Sequence, residues 1–211
     1  MTLVLHQHPF ASYCQKILIA LYELGVPFEP YLVDGAEGRA ELARLWPMAT
    51  IPVLTDGDLI LPESTTIIEY IDDGRLVPDL QARLWDRFAD QHLSTPMQKI
   101  VGDELRAEGR TDPEGVAQAR RSLDTAYGVL DDRLADRPWA GGETFTIADC
   151  AAFPALFYLR AIHRWSGANI TRYYRDLLAR PSITRVVEEA RPLRPLFPLP
   201  WPPDQDDLGP T

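Results

Sequence analysis

The apolar pattern of this chain changes period once, near residue 75, and that change restricts the fold more than any other feature. Before it, short apolar runs alternate with helical stretches. Leu3-Val4-Leu5 predicts a strand ending at His6. His8-Pro9-Phe10 breaks the chain, and Ser12 is placed to cap a helix. That helix carries Ile17, Leu18, Leu21 and Leu24 at helical spacing and stops at Gly25. Residues 28–33 predict a second strand, and 37–46 a short helix stopped by Pro47. Residues 53–55 and 59–61 predict a hairpin, because Asp56-Gly57-Asp58 supplies turn chemistry between two apolar runs. Pro62 opens a further helix with Ile67, Ile68 and Ile71 as its apolar face. The order is β-α-β-α-β-β-α.

Beyond Asp72-Asp73-Gly74 and a linker at Val77-Pro78-Asp79, strand signals vanish. Leu84 and Phe88, then Leu93, Met97, Val101 and Leu105, recur every fourth residue, and Pro96 is expected to bend this helix. Val116, Ala119, Leu123, Tyr127, Leu130 and Leu134 recur at steps of three and four, an amphipathic helix. After Gly141-Gly142, Thr146 and Asp149 have the spacing of a capping box. This pair is read as structural, with roughly 1 kcal/mol lost if either side chain is removed. The fold class is therefore α/β plus all-α. A small α/β domain spans 1–76, a helical domain 80–190 and a tail 191–211.

The tail is set apart by proline: 7 of the chain's 19 fall in its last 20 residues. It is expected to be extended and polyproline-like, with Leu196, Phe197, Leu199 and Trp201 packed back on the body. The rest is ordinary globular composition, 45% hydrophobic and 25% charged. The formal charge of −10 argues against a nucleic-acid binder and against an anionic membrane surface. No apolar run approaches the roughly 20 residues of a membrane span. Cys14 and Cys150 are too few for a disulfide framework, and no leader segment is visible, so a soluble cytoplasmic protein is expected. No metal-ligand spacing or phosphate-cradling glycine loop is present.

Four passages carry chemistry: His8-Pro-Phe-Ala-Ser-Tyr-Cys-Gln-Lys16 leading the first helix, Ile51-Pro52-Val53-Leu54, Pro62-Glu63-Ser64 before the Ile67–Ile71 face, and Phe145-Thr146-Ile147-Ala148-Asp149. In this order and spacing the chain resembles the cytosolic glutathione transferase family over roughly residues 2–190. The resemblance implies a thioredoxin-like N-terminal domain joined to a helical C-terminal domain, glutathione as co-substrate, a hydrophobic electrophile as second substrate, and a homodimer. By residue type alone the Ile51–Pro52 bond is expected trans; the resemblance implies cis. The backbone of Val53, beside Thr50, Ile51 and Pro52, would then pair with the cysteinyl part of glutathione. Glu63 and Ser64 stand where a helix N-terminus favours a carboxylate, and together they would read the γ-glutamyl head. Plain N-capping by Ser64 beside a solvated Glu63 is the alternative. Many relatives place Lys or Gln where Thr50 offers a hydroxyl, with Arg39 the possible substitute. The chain has two lysines against 19 arginines.

The glutathione thiol becomes a good nucleophile when deprotonated, and a hydroxyl donor at a helix N-terminus favours the thiolate. Ala11-Ser12-Tyr13-Cys14 looks like a Cys-x-x-Cys pair whose first cysteine is alanine, which excludes a dithiol cycle there. The catalytic serine or cysteine of several related classes falls on Ala11, and Ser12 matches the second serine of the zeta class. Ser12 is the first candidate to contact the sulfur and Tyr13 the second. Cys14 is read as a structural thiol and His8 as loop surface. The electrophile pocket is expected around Phe10, Gln91, His92 and Pro96, with His92 either facing the pocket or satisfied in the core. The leading reading is conjugation. A zeta-like glutathione-dependent isomerase and a binding module without turnover are the alternatives.

Overall fold

The structure is a computed structural model and describes residues 2–201. Four short strands, β1 (Val4–Gln7), β2 (Glu29–Leu32), β3 (Val53–Asp56) and β4 (Leu59–Pro62), form one sheet in the order β2-β1-β3-β4. β1 is parallel to β2 and antiparallel to β3. β3 and β4 make the expected hairpin, with Asp56 opposite Leu59 and Gly57 at φ 60°. β2 is an exposed edge, where Pro30 removes no ladder donor that the sheet needs.

Helix α1 (Ser12–Leu24) crosses between β1 and β2 and is buried continuously from Cys14 to Leu21. Its N-cap position is Ala11, so Ser12 is the first helical residue and not the cap. Asp34 accepts from the Gly35 amide at 2.7 Å, which starts α2 (Gly35–Leu45) earlier than its apolar pattern does. Pro62 ends β4 opposite Val53 instead of opening α3 (Ser64–Ile71). β4 is the other edge of the sheet, so a residue without an N–H fits there. Ser64 is then the first residue of α3, with Glu63 at the N-cap position.

Helices α4 (Leu80–Phe88) and α5 (Thr95–Glu104) are joined through a six-residue π-turn, Ala89–Ser94. The irregularity expected at Pro96 is taken up in this wider turn just upstream. The proline itself lies in the first turn of α5, where its missing N–H leaves no bond unmade. Helices α6 (Pro113–Arg133), α7 (Ile147–Ile162), α8 (Ala168–Leu178) and α9 (Pro181–Ala190) complete the helical half. α7 is central: 14 of its 16 residues are buried, and it packs on both α1 and α4. One apolar core therefore runs through both halves.

Two polar clusters lie inside that core. The capping box at the start of α7 is formed, and Asp149 does more than cap. Its Oδ1 accepts from the Ala140 amide at 2.9 Å and the Tyr173 hydroxyl at 2.6 Å; its Oδ2 accepts from the Thr146 amide at 2.7 Å. In the second cluster the fully buried Lys16 ammonium meets Asp86 Oδ1 at 2.6 Å and Asp90 Oδ2 at 2.8 Å. It also donates to Thr65 Oγ1 at 3.0 Å, and Thr65 in turn donates to Asp86 at 2.9 Å. This cluster ties α1 and α3 to α4 and the π-turn.

The start of the tail differs from the extended form expected. Arg191–Leu196 is a 3-10 turn, with Pro192 in its first turn where no N–H is required. Phe197 and Trp201 do pack back, with ring centroids 5.3 Å apart and both against Tyr158 of α7. The remainder of the proline-rich stretch, 202–211, lies outside the described residues.

Candidate functional site

A cavity of about 1010 Å³ opens between the sheet half and the helical half. One wall comes from three chain breaks: the N-terminus of α1 (Ala11, Ser12, Tyr13), the loop before β3 (Ala49–Pro52) and the start of α3 (Glu63–Thr66). The opposite wall comes from the α4–π–α5 rod, through Arg87, Asp90, Gln91, Thr95 and Gln98. An apolar end is closed by Phe10, Met97, Val101, Leu105, Tyr158 and Phe197.

The loop ahead of α1 is held from below. Gln15 Nε2 donates to Pro9 O at 3.1 Å, and the Tyr158 hydroxyl donates to Phe10 O at 2.8 Å. Phe10 stands edge-on to Tyr158 at 5.3 Å and to Phe197 at 6.2 Å. The Ile51–Pro52 bond is cis. Ala49 (φ 50°) and Glu63 (φ 71°) are the two non-glycine residues in the left-handed region among the described residues, and both line the cavity. Such backbone conformations collect at binding sites, where the surrounding structure holds them.

The titratable groups divide by environment. Tyr13 lines the cavity and is pushed up to about 12, first by burial and then by the Asp90 carboxylate. It stays protonated at neutral pH and acts there as a donor. Cys14 is fully buried in the first turn of α1 and is likewise pushed to about 12 by burial, an inert thiol, not a nucleophile. Burial raises Asp90; the Lys16 ammonium pulls it back and Asp86 pushes it further up. Among the described residues no group of three or more His, Cys, Asp or Glu is arranged to hold a metal ion.

Of the residues singled out from sequence, Ser12, Tyr13, Thr50, Ile51, Pro52, Glu63, Ser64, Phe10 and Gln91 line this one cavity. Val53, His92 and Pro96 do not. Val53 is fully buried in the ladder between His6 of β1 and Pro62 of β4, whereas Ile51 lies outside the ladder and lines the cavity. His92 is neither in the cavity nor in the core; it is exposed on the π-turn beside Phe88, ring centroids 5.2 Å apart. The wider turn rotates it off the face that a regular helix would give it. Pro96 is buried behind the wall. Arg39 reaches its own helix carbonyl at Gly35, 3.1 Å, and does not line the cavity. Thr50 Oγ1 accepts from Trp46 Nε1 at 3.2 Å. Gln98 Nε2 donates to Ser12 Oγ at 3.4 Å. Sequence reasoning missed Arg87, Asp90, Gln98 and Tyr158. The first three lie on the stripe that continues through Val101, and that stripe was the available signal; Tyr158 gave none.

Comparisons with known proteins agree with this architecture. The family models "Glutathione S-transferase, N-terminal domain" and "Glutathione S-transferase, C-terminal domain" match residues 5–75 and 113–185. The chain is 31% identical over 194 residues to glutathione S-transferase GstB of Escherichia coli, covering 82% of this chain and 91% of that protein. It is 29% identical over 186 residues to a stringent starvation protein A homolog of Haemophilus influenzae, covering 85% and 87%. A crystal structure of a glutathione S-transferase from Methylobacillus flagellatus with glutathione bound superposes with a TM-score of 0.80 at 24% identity, covering 88% of this chain and 98% of that one. With both family models matched in order and a relative 31% identical over most of the chain, the chain belongs to the glutathione S-transferase family.

Proposed function

We propose that the chain is a glutathione transferase that binds glutathione along the sheet-side wall and adds its thiolate to a hydrophobic electrophile. The observation that carries this reading is the convergence of three binding elements on one cavity with an apolar end: the α1 N-terminus, the Ile51 backbone before a cis proline, and the α3 N-terminus with Glu63 and Ser64. Each suits a different part of the tripeptide. The α3 amides and Ser64 favour the γ-glutamyl carboxylate, and Glu63 its ammonium. Ile51 offers main-chain pairing to the cysteinyl unit. Thr50 offers its hydroxyl to the glycyl end. Ser12 and the protonated Tyr13 are the donors for the sulfur.

The test is conjugation of a model aryl halide together with the ultraviolet absorbance of bound thiolate. Ser12→Ala is expected to lower kcat/KM roughly 10²-fold and to raise the thiol's pKa, as removal of one anion-stabilising donor does. If Tyr13→Phe produces that loss and Ser12→Ala does not, the role passes to the phenol. A second reading, a glutathione-binding module without turnover, is favoured by Ala11 and by the comparable identity to a starvation protein. Binding without conjugation would establish it.

The chain is also proposed to work as a homodimer. The β4 edge leaves Leu59 and Ile60 exposed, α3 leaves Tyr70, and α4 leaves Leu80 and Leu84 at 76% and 53% exposure. Exposed apolar groups of this number on neighbouring elements are what an interface covers. Leu84→Glu is expected to shift the chain to monomer mass in light scattering; an unshifted dimer would move the interface elsewhere.

A further inference from the structure

Arg87 is the one basic residue that lines the cavity among the described residues. It is exposed on α4, and it makes no hydrogen bond, ion pair or ring contact with any described residue. Its neighbour Asp86 is bonded to Thr65, the second residue of α3, so the turn that carries Arg87 is fastened to the α3 N-terminus. Arg87, Asp90, Glu63 and Tyr13 all line the cavity, and the three charges all act on the Tyr13 hydroxyl.

The charges there do not balance. Lys16 faces two carboxylates, Asp86 and Asp90, and Glu63 adds a third anion on the cavity wall. Glutathione brings two carboxylates and, once activated, a thiolate. An anionic ligand entering such a cavity needs a cation, and Thr50 supplies none. The helix N-terminus contributes a partial charge only.

We propose that Arg87 binds the α-carboxylate of the γ-glutamyl head, acting with the α3 N-terminus and opposite Glu63, which takes the ammonium. This rests on the reading of the cavity as a glutathione site and adds a residue to it. A guanidinium is suited to the role because it presents paired donors to a carboxylate and stays charged at any working pH.

The experiment is a cycle of protein and ligand, read as Kd by titration calorimetry. Glutathione is compared with 4-aminobutanoyl-Cys-Gly, which lacks only the α-carboxylate. Arg87→Gln is expected to weaken glutathione roughly tenfold and to leave the analogue's affinity almost unchanged. Arg87→Lys should restore most of the loss, and added salt should weaken glutathione binding to the wild type more than to Arg87→Gln. Arg83→Gln, which removes the same charge one turn earlier from a residue paired with Glu69 outside the cavity, should leave Kd within about twofold. Equal losses for both ligands would overturn the assignment, and so would an effect confined to the KM of the electrophile. A wild-type chain that binds neither ligand would overturn the glutathione reading itself.

Discussion

Asp149→Ala should remove about 4 kcal/mol of stability, several times what a lost helix cap costs. The capping-box spacing indicated only the cap. In the folded chain the carboxylate is fully buried and receives the amides of Ala140 and Thr146 and the hydroxyl of Tyr173. Truncation leaves these donors, and the Thr146 hydroxyl that also donates to Oδ2, inside the core without their acceptor, and each stranded donor costs about 1–3 kcal/mol. Tyr173 is itself fully buried, so no water reaches its hydroxyl to replace the lost bond. Asp149→Asn keeps an acceptor and should fold with a smaller loss, which guards against a truncated variant that does not fold at all. Burial lifts Asp149 to about 6 against the pull of its donors. A carboxylate whose folded value lies above its unfolded value favours folding at acid pH and loses that contribution as pH rises through about 6. The stability gap between wild type and Asp149→Asn should therefore change between about pH 4 and 6 and flatten above about 7. Urea midpoints measure all of this, and an Asp149→Ala loss below about 1.5 kcal/mol would show that the network is not the main support of α7.

The second large effect is expected at Lys16. Lys16→Met preserves the length of the side chain but leaves Asp86 and Asp90 buried side by side without their cation. Breaking such a pair from one side costs about 3–5 kcal/mol, because the stranded charges lose their partner and stay desolvated. The sign of the pH dependence follows from the same charges. Asp90 is already raised by burial against the pull of Lys16, so without the ammonium it holds its proton more tightly still in the folded chain than in the unfolded one. Stability of the variant should thus rise on acidification, and its deficit should shrink as the pH falls. A deficit independent of pH would mean that lost packing, not charge, causes it. Because the cluster links α1 and α3 to α4, fluorescence and circular dichroism should also lose their coincidence if the two halves then melt apart.

Much of this molecule was legible before its structure was known. The period change near residue 75, the Asp56-Gly57 hairpin and the helical stripe of α6 are local patterns, and local patterns survive into the fold. Failures came where one residue answers to two masters. Pro62 reads as a helix opener, yet an edge strand also tolerates its missing N–H. Ser12 reads as a cap, yet Ala11 occupies the cap position and leaves the Ser12 hydroxyl facing Gln98. A π-turn is a change of winding that no periodicity of apolar residues announces, and it misplaced His92. Val53, expected to line the cavity, lies instead in the ladder, because β3 begins immediately after the cis bond. Arg87 and Tyr158 could be recognised only after the chain had folded, since their neighbours in the cavity come from distant segments.

The apolar end of the cavity owes Leu196, Phe197 and Pro198 to the tail, and no residue of Arg191–Leu196 is buried. This end of the cavity is thus built partly from the segment that follows α9, whose Leu196 is exposed while Phe197 stacks on Tyr158 of α7. Substitution of the exposed Leu196 is expected to reshape the cavity lining at little cost to stability, whereas substitution of Phe197 also removes packing on α7.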